Sequence, residues 1–485
     1  MTKHFDVLIV GAGVAGVGMA SHLTKECPDL SYAVLERRAN VGGTWDLFKY
    51  PGIRSDSDMY TFGYGFRPWG GTKVLSDGPG IRQYVEDTAK EYGVFENIRF
   101  GRKVLTAKWS TPDTRWTVEA LDESTGETET YTATFIVGCT GYYNYDQGYS
   151  PEFPGAADFK GQIVHPQHWP EDLDYAGKKV VIIGSGATAI TLVPNMADDA
   201  EHVTMLQRSP TYIMAVPAND PLSSVLSRTP VPQFLVRRAS RLSYITIQRA
   251  LYDFCRTQPR IAKKLLLTDI RRRVGKNVDM RHFTPSYNPW DQRLCVVPNG
   301  DLFKVLKNGK ASIETDHIKS FTETGIELKS GKHLEADIII TATGLNVQVL
   351  GGVQVEVDGM AVSTHDRVLY KSVMVEGVPN AAIVLGYTNA SWTLKTDLAA
   401  EWVCRVLNLM RRKGYSQAVA HAKDGDRAEY SLMGGALSSG YIQRGDWAMP
   451  RQGTRAPWKA QDNYLLDIPL LRHQSLKDDV LEFSR

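Results

Sequence analysis

The sequence is poor in cysteine: five residues in 485, Cys27, Cys139, Cys255, Cys295 and Cys404, scattered and with no CxxC pair. An odd, dispersed set argues against a zinc site or a dithiol redox centre and favours a reducing compartment. No metal is expected. Net charge is also scarce, with 56 Lys and Arg against 54 Asp and Glu for a total of +2, which gives no overall attraction to nucleic acid. Long hydrophobic runs are missing. The apolar run at residues 7–10 is too short for a signal peptide and no later run reaches membrane-spanning length, so a cytoplasmic location is expected. The 42% hydrophobic and 23% charged residues are ordinary for a globular chain, and 485 residues are too many for one core.

What is present begins with glycine. Residues 7–10 (Val-Leu-Ile-Val) read as a buried strand that enters Gly11-Ala12-Gly13-Val14-Ala15-Gly16, helix formers to about Lys25, and a second apolar run, Tyr32-Ala33-Val34-Leu35, ending at Glu36. GxGxxG in this context of strand, turn, helix and strand is a dinucleotide fingerprint. Gly11 permits the turn, Gly13 lets pyrophosphate approach the backbone, and Gly16 lets helix and strand pack closely. Glu36 is placed to accept from ribose hydroxyls. A purely structural glycine turn would not require that carboxylate.

Next comes Gly42-Gly43-Thr44-Trp45-Asp46-Leu47-Phe48-Lys49-Tyr50-Pro51-Gly52-Ile53-Arg54-Ser55-Asp56. Its glycines, proline and large aromatics suit neither helix nor strand, and predict a loop lying close to something flat. The expected partner is a flavin ring, with Asp56 serving the reaction beside it.

A helix is expected over 80–92, strands over 99–109, 115–121 and 130–139, and an aromatic, turn-rich crossing at 142–146. A second fingerprint follows. The strand 178–183 enters Gly184-Ser185-Gly186-Ala187-Thr188-Ala189, and the next strand, 202–207, ends in Gln207-Arg208-Ser209. Ala189 in place of the third glycine is an accepted variant. Arg208 stands where an acid would serve NADH, and a guanidinium suits a 2′-phosphate. Two such sites imply FAD first and NADPH second. The expected fold is α/β, with two Rossmann-like dinucleotide-binding domains, the second inserted in the first, and a helical subdomain. The expected boundaries are 1–143 and 345–485 for the FAD domain, 144–210 and 294–344 for the NADPH domain, and 211–293 for the helical insertion.

Residues 222–276 read as helical and basic, with Arg228, Arg237, Arg238, Arg241, Arg249, Arg256, Arg260, Lys263, Lys264, Arg271, Arg272, Arg273 and Lys276 against only Asp253 and Asp269. A solvated basic face is one reading; peripheral contact with anionic lipid near a hydrophobic substrate entrance is the other. Arg293 follows Pro289-Trp290-Asp291-Gln292, a fixed turn. The apolar strand at 336–344 ends in small residues and echoes 135–141, marking a return to the first domain. A helix to about Met410 begins near Trp392, where its N-terminus could face the flavin's pyrimidine edge or simply cap a packing helix. The tail from Arg411 offers no legible chemistry.

Two fingerprints around the 42–56 stretch resemble the class B flavoprotein monooxygenases over nearly the whole chain. Within them, residues 159–170 match FxGxxxHxxxWP, the Baeyer–Villiger pattern, with Pro166 where threonine is frequent. A second such pattern, GxWxxxxYPGxxxD, matches at Gly43, Trp45, Tyr50, Pro51, Gly52 and Asp56. Within that class the chain resembles the group of mycobacterial ethionamide-activating FAD monooxygenases and their near relatives. The resemblance implies that NADPH reduces FAD, O2 adds to give a flavin peroxide, and a ketone becomes an ester, with thioethers oxidised as a side activity. It implies Arg293 as the catalytic arginine, held by Asp56 through a charge-assisted hydrogen bond. Arg54 and Ser55 are implied as NADP contacts, and Ala15, Thr44, Trp45, Asp46, Leu47 and Val104 as FAD contacts. His165 is expected in the linker between domains. Where many relatives carry a 2′-phosphate-binding lysine before the arginine, this chain has Gln292, which leaves Arg208 and Ser209 to select the phosphate. The rival within the class is a sulfur- or nitrogen-oxidising monooxygenase. A flavin disulfide reductase is disfavoured by the lack of a cysteine pair, and a non-catalytic NADPH-binding scaffold would hold no flavin.

Overall fold

The computed structural model describes residues 3–226, 229–435 and 438–485. The β-branched and aliphatic strand Lys3–Val10 lies within an eleven-stranded sheet, flanked in parallel by Tyr32–Leu35 and Thr128–Gly138. Val7, Leu8 and Ile9 are fully buried, as a strand covered on both faces requires. Register sets Val10 beside both Leu35 and Gly138, so three strand ends align where the first glycine turn begins. The strand Thr128–Gly138 pairs antiparallel with Arg115–Asp122 along its first half and parallel with Ala381–Ile383 at its end. That second pairing returns the C-terminal part of the chain to the first sheet. Helices Val14–Glu26 and Trp392–Lys413 pack together on one face over a common apolar core.

The second sheet has five parallel strands in the order Ala311–Thr315, His202–Gln207, Lys179–Ile183, Ile338–Thr341 and Gln162–Val164. Both fingerprints therefore open from the carboxyl end of a central parallel strand, where α/β sheets bind ligands. The second unit is inserted in the first. The chain leaves through Tyr143–Gly148 and returns through Leu345–Val347, and these two segments pair antiparallel with Leu345 opposite Gly148. The aromatic residues at 143–145 thus form part of an extended ribbon where a turn-rich crossing was expected; pairing with the returning strand outweighs the local turn signal of Asn144 and Asp146.

The helical excursion departs from Ile213–Val216 and returns at Cys295–Pro298, which pair in parallel. The first of these strands falls inside the stretch expected to be helical, four residues closed off by Pro210 and Pro217. Helices Pro221–Leu226, Gln233–Thr257 and Pro259–Val274 follow; Arg228 lies outside the described residues. The longest is tied back to the first unit by Arg241, which donates to the carbonyls of Tyr60 and Gly63 at 2.8 and 2.6 Å. Among the described residues no helix is long and apolar enough to cross a membrane.

Candidate active site

The first turn is built around three glycines with separate duties. Gly11 has φ +100°, and a Cβ there would stand 2.8 Å from the Cys139 carbonyl oxygen. A Cβ on Gly16 would stand 1.8 Å from the Gly11 carbonyl oxygen, so only glycine lets the helix approach the turn. Gly13 caps helix Val14–Glu26, whose first turn leaves N–H groups free for an anion. The Glu36 carboxylate accepts from the N–H of Ala12 at 2.6 Å and of Arg38 at 2.8 Å while lining the cavity. Burial raises its pKa against those two bonds.

The 42–56 stretch is pinned between the two nucleotide turns. At one end a Cβ on Gly43 would lie 3.1 Å from the Gly13 Cα; at the other, a Cβ on Gly52 would overlap the Asn195 side chain at 2.1 Å. Asn195 belongs to helix Ala187–Met196, which opens from the second fingerprint. Thr44–Leu47 forms one helical turn that the flanking glycines concealed in the sequence. Thr44 and Trp45 line the cavity, together with Ala15, Gly43 and Val104. Asp46 and Leu47 turn away from it. The Asp46 carboxylate receives the Arg38 Nε at 2.7 Å, and Leu47 packs into the core of the second unit.

That cavity measures about 370 Å3, within the range of small-molecule sites, and touches both fingerprints. From the second turn Ala187 and Thr188 reach it. Gly184, with φ +143°, serves close packing, since a Cβ would meet the Ala342 carbonyl oxygen at 2.4 Å. Gly186 faces open space, with no atom within 4 Å of a Cβ, which suits the approach of a pyrophosphate. Ser185 donates to the Ser209 carbonyl at 3.0 Å, and Arg208 and Ser209 are exposed beside that turn. Gln207 is engaged otherwise: its buried amide donates to the His282 carbonyl at 2.7 Å and to Thr315 at 2.9 Å. Ala189 is fully buried in the helix–sheet core.

Arg54, Ser55, Asp56 and Arg293 all line the cavity, brought together from distant parts of the chain. Arg54 gives Nη1 to Asp301 at 2.8 Å, while its buried Nε and Nη2 have no protein partner. Those two donors fit an acceptor group lying in the cavity. Asp56 is exposed to the cavity, whose protein walls push its carboxyl up to about 6, countered by the charges of Arg54 and Arg293. Arg293, exposed to the cavity, remains charged: the surrounding protein walls oppose its charge, but Tyr142, Tyr441, Tyr143 and Asp56 together raise its pKa. Burial also raises the pKa of each of the three phenols, which stay neutral at pH 7, so Asp56 is the formal countercharge in this group. The expected direct bond between Asp56 and Arg293 is not formed. No ion pair joins them among the described residues; both side chains open onto the cavity and act on each other across it. His165 lies outside the cavity, in the linker, where its Nδ1 accepts the Gln167 N–H at 3.2 Å.

Sequence reading passed over three aromatic groups. Tyr142 and Tyr143 line the cavity and share a hydroxyl hydrogen bond of 2.7 Å. Trp392, first residue of helix Trp392–Lys413, stacks on Tyr142 at 5.3 Å and also lines the cavity. Tyr441 comes from the tail judged silent, with its ring 6.3 Å from that of Tyr143. The available signal was compositional: like 42–56, residues 434–445 hold aromatic and basic side chains between glycines.

The sequence and the fold have counterparts among known proteins. Residues 9–84 match the model of the NAD(P)-binding Rossmann-like domain. The chain is 55% identical over 489 residues to MymA of Mycobacterium tuberculosis, covering all of this chain and 98% of that protein. It is 51% identical over 487 residues to the FAD-containing monooxygenase EthA of the same organism, covering 100% and 99%. Among solved structures, a steroid monooxygenase bound to NADP superposes with a TM-score of 0.77 at 20% identity, over 99% of this chain and 100% of that one, a likeness of fold. Residues 77–431 match the flavin-binding monooxygenase-like model, and with the two nucleotide turns sharing one cavity the chain belongs to that family.

Proposed function

We propose that this flavoprotein monooxygenase is of the Baeyer–Villiger type, using NADPH and O2 to convert ketones to esters. In balance, ketone, O2, NADPH and a proton give ester, NADP+ and water. The single observation that carries the reading is Arg293, a charged guanidinium opening onto the cavity shared by both nucleotide turns.

The first turn, Glu36, Thr44 and Trp45 would hold FAD, and the second turn, with Arg208 and Ser209, NADPH. Bound there, FAD reduced by NADPH supplies oxygen activated from O2. The chain's own residues do the rest. Attack on a ketone moves negative charge onto the carbonyl oxygen, and a fixed donor beside that oxygen lowers the barrier. Arg293 is such a donor and keeps its proton throughout. Asp56, ionised above about pH 6, orients that guanidinium from across the cavity. The N-terminus of helix Trp392–Lys413 places partial positive charge at the same cavity, suited to an anionic ring.

Arg293→Ala tests the reading. Ester formation should fall by about 100-fold or more, the loss seen when an oxyanion donor is removed, while NADPH oxidation continues. Ester at the normal rate would overturn the assignment. A panel of linear, cyclic and aromatic ketones plus a thioether separates the rival: sulfoxide without any ester product would make the protein a sulfur-oxidising enzyme.

Contact with an anionic membrane surface is part of the same proposal. Residues 221–276 carry thirteen Lys and Arg against two Asp, a net +11 in a chain of +2, leaving −9 on the remainder. Phe234, Leu235 and Leu242, 61%, 46% and 62% exposed, share a face of helix Gln233–Thr257 with exposed Arg238. Apolar side chains interleaved with cations match a lipid surface.

A further inference from the structure

The tail brings a second arginine toward the second nucleotide turn. Ser438 donates to the Asp291 carbonyl through its N–H at 2.8 Å and its hydroxyl at 2.9 Å. The short helix Gly440–Gly445 then packs on Leu345–Val347, so tightly that a Cβ on Gly445 would stand 2.4 Å from Val347. The segment is thereby fixed between the turn preceding Arg293 and the ribbon that joins the two units. Arg444 extends from it with its guanidinium carbon 3.5 Å above the Tyr149 ring. One of its nitrogens lies 3.7 Å from the position of a Cβ on Gly344, just past the end of strand Ile338–Thr341. That strand neighbours Lys179–Ile183, whose end carries Gly184-Ser185-Gly186, and His202–Gln207, followed by Arg208, is the neighbour of Lys179–Ile183 on the other side.

Neither Arg208 nor Arg444 has a carboxylate or hydrogen-bond partner among the described residues, whereas Arg472, Arg249 and Arg273 each hold an acid. Burial lowers the Arg444 pKa, Tyr149 opposes this, and the nearby Arg208 charge lowers it further. Two guanidiniums beside one glycine turn, with no acid paired to either, form a field that a dianion would neutralise.

We infer that Arg444 is a specificity-determining residue for the nicotinamide cofactor: with Arg208 it binds the adenosine 2′-phosphate, supplying the cation that Gln292 does not. The inference rests on the proposed NADPH site and adds to it a residue from the far end of the chain. A planar guanidinium held on an aromatic face can grip two phosphate oxygens at once, and NADH offers only a hydroxyl there.

The test is calorimetric binding of 2′,5′-ADP and of 5′-AMP to the flavin-loaded enzyme, in wild type, Arg444→Ala, Arg444→Lys and Arg208→Ala. Wild type should prefer 2′,5′-ADP. Arg444→Ala should weaken 2′,5′-ADP about tenfold or more and leave 5′-AMP unchanged, with Arg444→Lys in between. The NADPH-to-NADH ratio of kcat/KM should fall in step. If Arg208→Ala loses the preference while Arg444→Ala keeps it, the NADPH reading stands and the role of Arg444 is overturned. Equal weakening of both ligands in Arg444→Ala would also overturn it. A wild type that does not distinguish the two ligands would sink the NADPH reading itself.

Discussion

At the scale of single residues, Asp56 is pulled two ways. The cavity walls around it push its carboxyl up from 3.8 to about 6, so between those values the native protein holds a proton that the unfolded chain has released. Stability from this group is therefore greatest below pH 3.8 and declines as pH rises through about 6. Asp56→Asn should melt at a higher temperature than wild type at pH 8, with the gap closing by pH 4. The proposed ketone chemistry asks for the opposite state, an anion that would orient Arg293. Ketone turnover should rise as pH passes upward through about 6, and the asparagine variant should be slow and lack that limb. Identical pH–rate profiles for the two proteins would remove Asp56 from the chemistry. The place of Asp56 at the cavity was legible from the loop it closes, that of Arg293 only through motif resemblance. The bond expected between them was not formed, because the space between two cavity walls is a tertiary quantity that no local pattern encodes.

At the scale of elements, strands read best where apolar residues run unbroken into glycine, as at Val10-Gly11 and Ile183-Gly184. The turn Thr44–Leu47 and strand Ile213–Val216 were missed because glycines and prolines mask four-residue elements. Tyr441 and Arg444 were missed for a different reason: their segment is too short for periodicity, and its position is set by Ser438 and Gly445 against distant chain. The helices Gln233–Thr257 and Pro259–Val274 raise a question the wheel alone cannot answer, since a basic face serves water or lipid equally. Their charge predicts flotation with phosphatidylglycerol vesicles and not with phosphatidylcholine, falling as salt rises. Charge reversal at Arg238, Lys264 and Arg272 should abolish it. Binding independent of both lipid charge and salt would refute the lipid reading.

At the scale of the whole molecule, the two-unit plan was readable because each fingerprint carries its own strand, turn and helix. How the units meet was not, because it depends on a glycine whose neighbour is far away in sequence: Gly52 against Asn195. One feature of that junction reaches beyond the reaction. Gly148 and Leu345 stand opposite one another in an antiparallel ribbon, so the inserted unit's entry and exit lie about one strand spacing, roughly 5 Å, apart. The intervening 196 residues, 149–344, are thus removable in principle without stretching the host. A chain in which a short glycine-rich linker joins Gly148 to Leu345 should keep its first sheet and stay yellow with bound flavin, while losing all response to NADPH. Colourless protein would mean that the flavin unit needs its guest to fold. Yellow protein would make this oxygenase a severable graft: a flavin module onto which an electron-delivery module was spliced through a gate one strand wide.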